Sequence, residues 1–235
     1  MLKVDLHVHT VKSDCGFCTL NEMAEEAVKR GVKVLGIADH GPMINVSDTY
    51  FKAHFIIPKY FGKTRVLFGG EFNIINKKGE LDLSEEFQQR LDFVIAGIHN
   101  IGQDFKNSEK NTISMINALK NPNVKIISHP TLIGKYPLDV KKVTEAACKY
   151  NKLMELNASY LNFKRKLSVY PIKAAKEMIK IIKDNGHKLI INSDAHHTSE
   201  IADDTPVMKY KDELGLTDDI IINNDMKALK KYFPI

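Results

Sequence analysis

Seven short apolar runs punctuate this chain, and each carries, at or near its end, a residue type that binds metal ions. They are LKVDLHVH, VKVLGIADH, TRVLFGGEFNI, DFVIAGIHN, VKIISHP, KLMELNAS and HKLIINSDAHH. Amphipathic stretches such as TLNEMAEEAVKRG, SEKNTISMINALKN, DVKKVTEAACKYN and PIKAAKEMIKIIKDNG fall between them. Strands alternating with helices argue for a parallel sheet. Seven such units in 235 residues argue for a closed or nearly closed, TIM-like α/β barrel in a single domain over residues 1–235. A doubly wound open sheet competes, but it would bring a Gly-rich phosphate loop after the first strand, and none follows LKVDLHVH.

Local signals support these elements. Thr19 with Glu22 three residues on reads as a capping box, and Gly31 stands where that helix ends. Asp139 caps the helix after the fifth strand; Pro171 and Gly186 bracket the next one. DDIIIN is expected as a further short strand and DMKALKKYF as a terminal helix. With 43% hydrophobic and 27% charged residues the chain can bury a core and stay soluble. Its net charge of +5 is modest and its lysines are dispersed, which argues against a nucleic-acid partner. Three cysteines, Cys15, Cys18 and Cys148, with no signal peptide suit a reducing, cytoplasmic setting. No apolar run approaches the ~20 residues of a membrane span. The sequence leaves the oligomeric state open.

The strand ends concentrate one chemistry. Strand one ends in His7 and His9, strand two in Asp39 and His40; strand three carries Glu71; strands four and five end in His99 and His129; strand six carries Glu155 and Asn157; strand seven ends in Asp194 and His196. Barrel active sites are built at the C-terminal ends of strands. The period of two puts Asp5, His7 and His9 on one face of their strand, with Val4, Leu6 and Val8 packing on the helices from the other. Each residue alone has an ordinary structural use. Together, six of the nine histidines fall at strand C-termini, which points to a polynuclear metal site. Imidazole and carboxylate suit zinc, iron, manganese and similar divalent ions, and buried unpaired carboxylates demand cations. His54, His187 and His197 fall elsewhere, and Cys148 reads as a packed structural thiol.

The ordered motifs DLHVHT, S-D with a small residue after it, ADHGP, GGEFNI, AGIHN, ISHP, MELNAS and SDAHH resemble those of the PHP (polymerase and histidinol phosphatase) family, and within it the YcdX-like phosphatase subgroup. The resemblance covers essentially the whole chain. It implies a distorted seven-stranded (β/α)7 barrel with three divalent ions (zinc, manganese or iron). One ion would be held by His7, His9, Glu71 and Asp194, a second by His40, His196 and a residue of the Ser-Asp-Cys stretch, and a third by Glu71, His99 and His129. YcdX-like proteins have histidine where this chain has Cys15, while many other PHP proteins have Ser-Asp-Gly, whose Asp matches Asp14. Asp14 is the expected ligand, with Cys15 the alternative. A carboxylate there favours manganese or iron and a thiolate favours zinc.

The activity so implied is metal-dependent hydrolysis of a small phosphomonoester. A hydroxide bridging two ions would attack in line, since bound divalent ions lower the pKa of water. The resemblance also places a phosphate-binding arginine at Arg165, whose planar fork suits phosphate oxygens. Lys135 and Tyr136 are a weaker pair at the same rim. The alternatives are an amidohydrolase-type C–N hydrolase, which shares the H-x-H strand, and a metal-stabilised binding module without turnover. A DNA exonuclease is disfavoured by the dispersed charge.

Overall fold

The structure, a computed structural model, describes residues 1–99, 106–161 and 172–235. In chain order its main elements are β1 (Val4–Val8), α1 (Leu20–Lys29), β2 (Val34–Ile37), α2 (Asp48–Lys52), β3 (Tyr60–Phe61), β4 (Thr64–Phe68), β5 (Glu71–Asn73) and α3 (Glu85–Gln88). There follow β6 (Val94–Gly97), α4 (Ser108–Ala118), β7 (Val124–Ile127), α5 (Val140–Lys149), β8 (Leu153–Asn157), α6 (Ile172–Asp184) and β9 (Leu189–Asn192). This is an α/β fold with two sheets, ordered β1-β2-β4-β3 and β5-β6-β7-β8-β9. Every pairing is parallel except the two-residue β3 against β4.

The helices form where the sequence signals them. Thr19 and Glu22 cap each other's backbone at the start of α1, and Asp139 accepts from the Lys142 N–H at the start of α5. Gly31 and Gly186 take positive φ angles of 72° and 59° just past their helices, the left-handed turn that a Cβ disfavours. On α6, Ala174, Ala175, Met178, Ile179 and Ile182 form the buried stripe. Pro171 lies outside the described residues.

Two apolar clusters sort the strands' faces. The larger joins helix residues such as Met23, Ala27, Met115, Val143 and Met178 to one face of the strands, including Val8. The smaller contains Val4, Leu6, Leu67, Ile95, Ile126, Leu153 and Ile190, closed by Leu229 and Phe233 from the C-terminal segment. Val4 and Leu6 thus lie in the strand-lined interior, not against the helices as simple alternation implies. The cause is an irregularity in β1, whose pairing with β2 shifts register between Asp5 and Val8. A bulge resets the parity of a strand, so His7 and His9 face the same interior as Leu6. Asp5 instead accepts the Ser193 and Ala202 N–H groups and the Ser193 hydroxyl.

The expected third strand is split. At Gly69–Gly70 the chain leaves β4's sheet and enters β5's, and a Cβ on Gly69 would meet Phe93 while one on Gly70 would meet the Phe72 ring. The sheets touch along two seams, each with a single bridge: His40–Glu71 on one side and Val8–Ala195 on the other. Side-chain amides complete the second seam. Asn192 Oδ1 accepts from the Leu6 N–H, and buried Asn223 spans Val4 O, Ile191 O and the Ile191 N–H. DDIIIN, expected as a strand, forms two 3₁₀ turns with one bridge from Ile221 to Leu189; the turns deliver Asn223 into the seam. Among the described residues no helix is long and apolar enough to cross a membrane.

Candidate metal centre

All eight of the expected His, Glu and Asp ligands at the strand ends come together around Glu71. Oε2 of Glu71 lies 3.3 Å from His7 Nε2, 3.6 Å from His9 Nε2 and 3.1 Å from His40 Nδ1. Its Oε1 lies 2.9 Å from His129 Nε2 and 3.2 Å from His99 Nε2. Asp194 Oδ1 stands 3.2 Å from His9 Nε2 and 3.6 Å from His7 Nε2. His196 stacks on His9 with ring centroids 4.5 Å apart. His129 and Asp194 follow β7 and β9 with φ of 33° and 53°. Positive φ is costly outside glycine and concentrates at functional sites.

The surrounding hydrogen bonds fix which ring nitrogens carry protons. His7 Nδ1 donates to Glu155 Oε1 at 2.7 Å. Ser13 gives its one hydroxyl proton to Asp39, so at His9 Nδ1, 3.0 Å away, it accepts. His99 Nδ1 donates to Asn73 Oδ1, whose amide is oriented by Asp82. His196 Nδ1 donates to the Asp194 carbonyl. In neutral rings these partners leave lone pairs on the inner nitrogens. The His7 and His9 Nε2 atoms then face one another at 3.1 Å, and His99 Nε2 faces Glu71 Oε1. His40 Nδ1 is buried with no hydrogen-bond partner although Glu71 is beside it.

Lone pairs aimed at lone pairs and carboxylates repel unless a cation sits among them. Four ligand atoms about 2.0–2.1 Å from a tetrahedral ion lie roughly 3.3 Å apart, which matches the spacings among His7, His9, Glu71 and Asp194. Among the described residues, three groups of donor atoms gather closely enough for an ion: His7 with His9 and Asp194; His40 with Glu71 and His99; and His9 with Cys15 and His40. The donor set therefore fits divalent metal.

The electrostatics without metal carry the same message. Burial disfavours a charged His7, but Glu155, Glu71 and Asp194 outweigh it and raise its pKa well above the usual range. Burial likewise opposes ionisation of Glu71 and Asp194, yet the histidines hold both carboxyls well below normal. Burial and the neighbouring His40 push His9 down to about 3. For His40, burial is outweighed by Cys15 and Glu71, which bring it up to about 10.

The PHP domain profile matches residues 5–166. The chain belongs to the PHP domain family. A protein named probable phosphatase from Thermoanaerobacter sp. (strain X514) is 35% identical to it over 240 residues, covering 98% of this chain and 94% of its own. A probable phosphatase from Proteus mirabilis (strain HI4320) is 33% identical over 236 residues, covering 99% and 94%. The histidinol phosphate phosphatase of Lactococcus lactis subsp. lactis Il1403, solved with zinc, L-histidinol and phosphate, superposes with a TM-score of 0.64 at 16% identity. That match covers 90% of this chain and 92% of the other.

In this PHP chain Asp14 is not brought into the cluster. It takes a left-handed φ of 58°, and its exposed carboxylate accepts from Asn45 at 3.2 Å. Cys15, the next residue, is the one that turns inward. Burial would raise its thiol, but His196 and His40 bring it down to about 7. Arg165 lies outside the described residues, as does the His54 side chain. The Tyr136 ring lies 6.5 Å from that of His99 and 6.4 Å from that of His129, with Lys135 over it. Tyr160, not singled out by the sequence, stands 5.4 Å from His129. His187 bonds the Lys152 carbonyl and His197 caps a turn at Ser199, so both serve the scaffold. The supporting residue Asn192 carries no sequence signal that separates it from an ordinary polar position.

Proposed function

We propose that this PHP protein is a metal-dependent phosphatase that hydrolyses a small phosphomonoester at a site of three divalent ions. The observation that carries the reading is the convergence of six histidine rings on Glu71 and Asp194. Among the described residues, neither carboxylate pairs with a lysine or arginine. His7, His9, Glu71 and Asp194 would hold one ion; Glu71, His99 and His129 another; His40 and His196, with a residue of the loop after β1, the third. Bound divalent ions supply a water nucleophile acidified to neutral pH and a positive field for phosphoryl oxygens.

The chain's own residues then have defined tasks. Glu71 presents Oε2 to His7, His9 and His40 and Oε1 to His99 and His129, so one carboxylate would be placed to serve two ions. Glu155 holds the His7 ring through Nδ1 and takes the His129 N–H and the Asn192 amide as well. His7 and His9 are at most 1% exposed, whereas the His40, His99 and His196 side chains are 12–20% exposed. The substrate phosphate approaches from that exposed side, with Tyr136 and Tyr160 flanking it and Arg165 as a phosphate ligand. Taken as one strand interrupted at Gly69–Gly70, β4 and β5 make seven parallel strands, and we read the two seamed sheets as a distorted barrel. The relatives named probable phosphatase support the reaction class. The three free cysteines suit a cytoplasmic setting.

The test is release of inorganic phosphate from a panel of phosphomonoesters by metal-loaded protein, before and after chelation. Activity that chelation abolishes, that added metal restores and that His7→Ala lacks is the expected outcome. Hydrolysis indifferent to chelator and to His7→Ala would overturn the reading.

A further inference from the structure

Resting on the reading above, we infer that Cys15 is itself a metal ligand, so that the ion beside His40 and His196 sits in a mixed imidazole–thiolate site that selects zinc. The Cys15 Sγ, a ring nitrogen of His9 and one of His40 all lie within 4.8 Å of one another, and none of the three side chains is exposed. His196, stacked on His9, keeps its Nδ1 proton on the Asp194 carbonyl, which leaves its other nitrogen unprotonated for the same ion. The buried His40 Nδ1 lies 3.1 Å from Glu71 yet has no hydrogen-bond partner, an independent geometric mark of an atom placed to meet an ion.

The loop is built to hold the thiol there. Val11 N–H bonds the Cys18 carbonyl and Phe17 N–H bonds the His196 carbonyl, pinning both flanks of Cys15. A Cβ on Gly16 would collide with the Thr10 carbonyl, so the residue after Cys15 must be glycine for the loop to close. The left-handed turn at Asp14 points that carboxylate at Asn45 instead. Thiolate is the softest ligand in the cluster, and soft ligands favour zinc over manganese or magnesium.

Cobalt(II) reports this directly, because a thiolate ligand gives a near-ultraviolet charge-transfer band that nitrogen and oxygen ligands do not. Cobalt-reconstituted wild-type protein is expected to show the band and Cys148→Ser to keep it. Cys15→Ser is expected to lose it and to bind one ion fewer per chain by elemental analysis. Cys15→Asp is expected to recover the ion but to shift competition from zinc toward manganese. Full cobalt content in the wild type without the band overturns the inference and leaves the phosphatase reading standing. Failure to bind cobalt at all overturns both.

Discussion

At the scale of single residues, the hydrogen bonds around the rings govern how the centre can meet a metal. Glu155 accepts from His7 Nδ1 at 2.7 Å and from the His129 N–H, so it acts by fixing the rings' positions. Glu155→Gln is expected to weaken metal binding about 10- to 100-fold, the usual cost of losing such an orienting partner, while leaving the fold intact. Competition against a coloured chelator measures it, and an unchanged affinity would remove Glu155 from the centre. A second prediction concerns pH. Carboxylates raise His7 against its burial, and Cys15 and Glu71 bring His40 to about 10, so both rings hold a proton more tightly than a free imidazole. Metal must displace those protons. Affinity is therefore expected to fall as pH falls, and binding at pH 7 to release protons. Calorimetry in buffers of differing ionisation enthalpy reads the number; no proton release would contradict these assignments. The turn that directs Asp14 to Asn45 was not legible in the sequence, because it depends on a left-handed conformation for which aspartate carries no strong signal.

At the scale of elements, the sequence shows what is local and hides what is pairwise. The α1 capping box and the Gly186 stop could be read because their partners lie within four residues. The β1 bulge could not, because it arises from register against β2. Alternation alone therefore placed the apolar side of β1 against the helices, while still grouping His7 with His9. The break at Gly69–Gly70 shows only as two small residues in an apolar run. The β1–β9 seam was invisible, since it depends on Asn223, more than thirty residues beyond β9. Asn223→Ala is expected to leave Val4 O, Ile191 O and the Ile191 N–H unpaired in a buried seam, costing about 1–3 kcal/mol. Chemical denaturation checks it. A loss within a few tenths of a kcal/mol would show that the seam does not depend on this amide.

For the whole molecule, binding at the centre and stability are linked. Glu71 and Asp194 stand on different sheets from His7, His9 and His40, and all converge on one point across both seams. An ion held there ties the sheets together and binds only the folded chain, adding about 2.7 kcal/mol when free metal is a hundredfold above Kd. Chelation is thus expected to lower the thermal midpoint, and His7→Ala to remove most of the difference between chelated and loaded protein. Most of the residues that cluster at the centre were legible because each closes a strand, and strands end where the topology brings the chain to one face. Supporting amides such as Asn192 and Asn223 were not, because a buried amide declares its partner only when folded. The most direct measurement is elemental analysis of the purified, metal-reconstituted chain. The account predicts about three divalent ions per chain, reduced in His7→Ala; fewer than two per wild-type chain would contradict it.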